Sequence, residues 1–398
     1  MPAASRFLLG LHYWPRTKGL EFWKAFDAEE IGKDFARIRA LGAQAVSLPL
    51  IWEDFQTRPD LVSDVALRQL DAVFDLAAAN RLKVLPVLFS GHQCGVNWLP
   101  WWTLRDEQDD ADPLPRRVSI GMRVRRRVRD LLADPAMLRA QVNLLREVVP
   151  RYRDHPALWG WCVGSELGRV VEPTNREAMW LWNALIGGEV KRLDPRHPAL
   201  YTVGAEDLLR DRIRPDDMSA PEDMVGLRVR DMGPDPQEVL FVANLAGHLA
   251  ARRVLAMDLG RPMVSRGAES RFEDYHEGQT HRTAYLVSEE QAAEYLGETL
   301  SGLWEGGAAG AFVYCYSDVA ADVCERPPFD ERLPERSFGL LRADGSEKPA
   351  AAAFRAFARQ RRPLRAAATN SVLADLSPEA YYEAPDEHFR IRLAEFAD

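Results

Sequence analysis

Short apolar runs rich in β-branched residues alternate along the chain with stretches whose apolar residues recur at helical spacing, the pattern of parallel βαβ units. The first run, Phe7–Leu11, precedes a helix that opens at Asp27, where Glu30 three residues on completes a capping box. Ile31, Phe35, Ile38 and Leu41 share one face of that helix, and Gly42 ends it. Ala45–Leu48, Lys83–Phe89, Leu158–Val163, Ala199–Val203, Met224–Leu227, Met263–Ser265 and Ala311–Tyr316 read as strands two to eight. Helices are predicted between them: Ser63 to Ala79 with Leu67, Leu70 and Phe74 inward, one opened by Asp134-Pro135, and one capped by Ser288 with Gln291. Eight strands, interleaved helices and one core predict an α/β fold, a (β/α)8 TIM barrel over residues 1–362. Residues 363–398 read as a short C-terminal tail packed on the barrel.

Composition narrows the function more than the fold. A chain of 398 residues fits one barrel with insertions. Its net charge of −9 argues against a nucleic-acid or anionic-membrane partner. The basic run from Arg123 to Arg129 then reads as a solvated, salt-bridged face. No apolar run is long enough to span a bilayer. The opening MPAASRFLLGLHYW lacks a charged segment followed by a long apolar one, so a cytoplasmic location is expected. Cys94, Cys162, Cys315 and Cys324 form no C-x-x-C pair, and no H-E-x-x-H or Gly-rich phosphate loop occurs, so neither metal nor cofactor is expected.

In a TIM barrel, chemistry collects on the loops that leave the C-terminal strand ends. After strand four, WGWCVGSELG places Ser165 and Glu166 past an apolar strand, where burial favours the protonated form suited to a general acid. After strand three, His92, Gln93, Asn97, Trp98, Trp101 and Trp102 crowd one loop. Flat aromatics beside neutral hydrogen-bonding groups suit a sugar, with its apolar C–H faces and rim of hydroxyls. At least two of Trp52, Trp98, Trp101 and Trp102 are expected to line the same cleft as Glu166. After strand eight come Tyr314, Tyr316 and Asp318, with Asp318 expected to face the cleft or cap a turn.

These motifs resemble a known family. GLHYWP with Trp14, WEDFQ with Trp52, SGHQCGVNWLPWW, and YCYSDV followed by RSFGLLRADGSEKPAAAAFRAF are similar to the clan A glycoside hydrolases, nearest to the family 5 branch of endo-β-mannosidases and cellulases. The resemblance implies a β-linked mannoside or glucoside substrate and a retaining two-carboxylate mechanism. One glutamate stands at the end of strand four and a nucleophile at the end of strand seven. Glu166 matches the first, preceded by Ser165 where the family carries asparagine. Around the second, GRPMVSRGAES sets Arg266 and Gly267 at the expected position, so Glu269 is the candidate nucleophile. Ser47 replaces the usual arginine of strand two, Tyr314 replaces the tryptophan of strand eight, and strand six offers neither His nor Tyr. Two readings follow: an active glycosidase with a rearranged nucleophile, or a degenerate barrel that binds carbohydrate or a partner without hydrolysis.

Overall fold

A computed structural model describes residues 6–109, 115–219, 222–230, 232–367 and 370–397. Eight parallel strands close a barrel: β1 (Leu8–His12), β2 (Ala45–Pro49), β3 (Lys83–Phe89), β4 (Trp161–Ser165), β5 (Ala199–Gly204), β6 (Met224–Arg228), β7 (Val254–Leu259) and β8 (Gly310–Val313). Each pairs with its sequence neighbours, and β8 returns to β1. Outside lie α1 (Ala28–Leu41), α2 (Asp64–Ala79), α3 (Pro135–Tyr152), α4 (Arg176–Leu193), α5 (Pro236–Ala250), α6 (Glu289–Glu305) and α7 (Pro349–Arg359). The helix starts follow from capping, since the Asp27, Ser63, Asp134 and Ser288 side chains each accept a first-turn N–H. Gly42, at φ 101°, closes α1 in the left-handed region that a side chain would resist.

Strand alternation sorts the interior into layers. Leu8, Ala45, Leu85, Val87, Cys162, Leu200, Leu255, Met257 and Phe312 fill the barrel as one apolar cluster. Gly10 makes room for the Phe312 ring, which a Cβ there would meet at 2.3 Å. Two to four residues further along the same faces, toward the strand C-termini, the side chains turn polar: His12 on β1, Ser47 on β2, Thr202 on β5 and Arg228 on β6, all buried. This polar layer is the floor of the barrel mouth.

Strand seven differs from the sequence expectation. It is Val254–Leu259, whereas Met263 and Val264 lie beyond the barrel, with Val264 N–H donating to Val287 O at 2.9 Å and Val287 N–H to Pro262 O. Asp258 breaks the apolar run Val254–Leu259 and disguised it, and Met263-Val264 after Pro262 was read as the strand instead. Strand four likewise begins later, at Trp161, with Leu158 making only an isolated bridge to Val84.

After α7 the chain packs on the barrel's outer layer. Phe241 of α5 meets the rings of Phe389 and Phe396 at 5.2 and 5.6 Å, and Leu373 and Tyr381 are buried. No helix among the described residues is long and apolar enough to cross a membrane.

Beside α4, Glu222 is buried and accepts from Asn183 Nδ2 at 3.0 Å. Burial pushes its carboxyl up to about 8, against the opposing Asn183 hydrogen bond. The folded state therefore holds a proton that the unfolded chain releases near its ordinary value of 4.5. This contribution to stability is complete at low pH and is lost as pH rises through the window to about 8. The unfolding free energy of the wild type minus that of Glu222→Gln is expected to fall from about pH 5 to 8, by at most ~1.4 kcal/mol per unit. A difference that stays flat in urea titrations across that range would refute the assignment.

Candidate active site

At the end of β4 the backbone turns sharply. Glu166 adopts φ 50° and ψ 38°, the left-handed region that costs a non-glycine residue of order 1 kcal/mol. A short 3-10 turn, Leu167–Arg169, follows and brings Arg169 back over Glu166, with Nε 2.8 Å from Oε1. From β6, Arg228 reaches the same oxygen at 2.5 Å. Both arginines also hold Glu206, which leaves β5: Arg228 at 3.3 Å and Arg169 in a shorter ion pair. Burial pushes the Glu206 carboxyl up, but Arg228 and Arg169 outweigh it and leave it below its ordinary value. Glu166 projects into the barrel mouth from a strand end, buried to 5% exposure. The sequence expectation considered burial alone; the structure adds the guanidinium groups of Arg169 and Arg228 against the carboxylate.

Across the mouth, Asp258 leaves β7 with the same backbone twist, φ 56°. It sits one residue beyond Met257, the register partner of Arg228, so it adjoins the Arg228 end of the Glu166 cluster, with β5 and β6 between it and β4. Its Oδ1 is 3.5 Å from His12 Nδ1. Burial holds the His12 imidazole below its ordinary value, opposed by Asp258 and reinforced by Arg230. His12 packs against the Trp14 and Tyr314 rings at 5.1 and 5.3 Å. Trp14 Nε1 and Ser47 Oγ are buried there with no hydrogen-bond partner among the described residues. Groups of this kind are normally satisfied.

A buried network braces the wall. Tyr314 donates to Glu335 Oε2 at 2.7 Å, and Arg230 Nη1 reaches that oxygen at 3.0 Å while its guanidinium lies 4.4 Å over the Tyr314 ring. Cys94 Sγ stands 3.0 Å from the Tyr314 hydroxyl, and burial pushes both groups up and keeps them neutral.

The residues expected from sequence divide accordingly. Glu166, Ser165, Trp14 and Tyr314 stand at the mouth. His92 and Asn97 are buried beside it: His92 Nδ1 is 2.7 Å from Asn97 Oδ1, and Asn97 Nδ2 donates to Arg169 O. Burial, reinforced by Arg169, keeps the His92 imidazole neutral. Trp52, Trp98 and Trp102 are buried, with Trp52 and Trp102 both donating to Gln56; of that group only Trp101 presents a face, at 53% exposure. They form a plug under the strand-three loop rather than an open stacking platform.

Asp318, expected at the cleft, pairs instead with Lys348 Nζ at 2.8 Å and accepts from Gly339 N–H at 2.8 Å, pinning the segment before α7. Burial pushes it up to about 6. Glu269 is exposed in the loop after β7, before the hairpin Arg271–Glu277 and Thr280–Leu286. Sequence reasoning missed Asp258, Arg228, Arg230 and Glu335. For Asp258 the available signal was a charged residue inside the apolar run VLAMDL, and for Arg228 one closing MVGLR; no comparable signal marks Arg230 or Glu335.

A cleft of about 830 Å³ continues from Glu206 over the β4 and β5 exits. Asn97, Arg117, Arg169, Asp207, Arg210 and Arg212 line it with several aliphatic residues and no aromatic one. No three metal-ligating side chains gather among the described residues.

No protein-family model matches the chain. A probable mannan endo-1,4-beta-mannosidase C of Aspergillus terreus is 33% identical over 82 residues, a match spanning 18% of this chain and only 20% of that protein's length. Solved structures share the fold along nearly the whole chain. GH5_18 from Streptomyces cattleya in complex with GlcNAc superposes with TM-score 0.77 at 20% identity, covering 99% of this chain and 92% of that one. A glutamate-to-alanine variant of the same protein, in complex with Manb1-4GlcNAc, gives TM-score 0.76 at 19% identity over 98% and 92%. The exo-beta-1,4-mannosidase Op5Man5 from an Opitutaceae bacterium gives 0.71 at 22% identity over 91% of this chain and 60% of that one.

Proposed function

We propose that the chain is a retaining β-glycoside hydrolase of mannoside type, with Glu166 as acid/base and Asp258 as nucleophile. The observation that carries this reading is the pair of carboxylates leaving β4 and β7, each set by a left-handed residue and both facing the barrel mouth. The β-mannoside class rests on the mannosidases among the proteins that share the fold.

In the first step the Asp258 carboxylate attacks the anomeric carbon, the bond to the leaving oxygen breaks, and Glu166 gives that oxygen its proton. In the second, water attacks the anomeric carbon, Glu166 takes the water proton, and the ester to Asp258 breaks. The ion pairs from Arg228 and Arg169 to Glu166 favour a second reading, a barrel that binds carbohydrate without cleaving it.

The Glu166→Ala variant separates the two. On an activated aryl β-mannoside the leaving group needs little protonation, so glycosylation continues while the second step slows. Added azide is expected to restore turnover and to yield a mannosyl azide of retained configuration. Azide rescue to an inverted product would refute the double displacement. A wild type inert toward aryl mannosides, glucosides and galactosides would leave the binding barrel as the better reading.

A further inference from the structure

The side of the mouth that must receive the leaving group is charged, with guanidinium groups in excess of carboxylates. Glu166 has to touch the leaving oxygen, so the leaving half of the substrate lies over the β4 and β5 exits, in the cleft beside Glu206. Neutral sugars are held by flat aromatic faces and uncharged hydrogen-bonding groups. This cleft offers four arginines, Arg117, Arg169, Arg210 and Arg212, against three carboxylates, Glu172, Glu206 and Asp207, and no aromatic residue. Arginine presents a planar fork matched to carboxylate and phosphate oxygens. Arg117 is engaged by Asp109 and Arg212 by Glu172. Arg210 is exposed on the cleft rim and pairs with no carboxylate among the described residues.

The acid step adds a second, independent argument. To act as an acid, Glu166 must carry a proton, which removes one of the negative charges that Arg169 and Arg228 share with it and Glu206. The cluster then holds one more unit of positive charge than in its resting state. An anion on the substrate, brought beside Arg169, replaces that charge and so favours the protonated acid at the moment it is needed.

From the lining of this cleft and this charge balance, and resting on the glycosidase reading above, we infer that the preferred substrate carries an anionic group, a carboxylate or a phosphate, on the sugar that departs. Arg210 and Arg169 are the groups assigned to bind it.

The test compares β-mannosyl-1,4-glucose with β-mannosyl-1,4-glucuronate and with β-mannosyl-1,4-glucose 6-phosphate, using the full chain. At low salt kcat/KM is expected to be at least about 10-fold higher for one of the anionic disaccharides, and the arm that gains identifies carboxylate or phosphate. The advantage is expected to shrink as salt rises, and Arg210→Gln to move the anionic-to-neutral ratio toward one. Equal kcat/KM on all three substrates, or a ratio unchanged in Arg210→Gln, overturns the inference while leaving the glycosidase reading intact. If none is cleaved, the glycosidase reading falls. Calorimetric titration of the same three disaccharides then decides the anion preference, with equal affinities overturning it.

Discussion

Asp258→Asn is expected to lower kcat on an activated aryl β-mannoside by at least about 10³-fold, because the amide cannot form the glycosyl ester through which a retaining reaction passes. Asp258 leaves β7 at the mouth, whereas Glu269 is exposed on the following loop. Glu269→Gln should therefore stay within about twofold of wild type, near the scatter left by an uninvolved surface residue. The contrast is sharp, since the sequence motif alone selects Glu269. Trapping with a 2-fluoro mannoside and digesting the labelled protein would locate the ester directly. A label on Glu269, or full activity in Asp258→Asn, would remove Asp258 from the mechanism.

The largest expected loss of stability lies one residue away from the chemistry. Glu335→Ala removes the carboxylate that Arg230 and Tyr314 share, and Arg332 Nη2 stands 3.8 Å from its other oxygen. Glu335 and Arg230 are both buried. Breaking a buried ion pair by removing one partner costs about 3–5 kcal/mol, most of it the desolvation of the charge left behind. Equilibrium unfolding in urea is expected to show that loss, and Glu335→Gln, which keeps an acceptor for Tyr314, a smaller one. A change below about 1 kcal/mol in Glu335→Ala would mean that water reaches Arg230 easily and that the wall is not braced in this way.

The barrel was legible in the chain because its local signals agree. Caps at Asp27, Ser63, Asp134 and Ser288 and apolar faces such as Ile31, Phe35, Ile38 and Leu41 name the helices without reference to tertiary structure. Glu166 was legible too, as a carboxylate directly after an apolar strand. The other half of the site was hidden by the features that make it a site. Asp258 puts charge into strand seven, which a periodicity reading treats as evidence against a strand, and Arg228 falls one residue past the apolar run Met224–Leu227 read as strand six. Asp318 misled for a related reason: its partner Lys348 lies far along the chain, and only the folded protein brings the two together. The tryptophans misled by abundance, since residue type says nothing about which ring face remains open.

Those rings have a practical consequence for anyone measuring ligand affinity. Trp14, Trp52, Trp98 and Trp102 are sealed in protein, so their emission reports the integrity of the fold and changes little when a sugar settles at the mouth. Trp101 is open, and its indole is the one member of the strand-three loop group whose signal a passing solute can reach. A silent fluorescence titration is therefore compatible with tight binding in this protein. Acrylamide quenching should show a mostly shielded population, and heat release or ligand-observed NMR is the observable suited to the cleft.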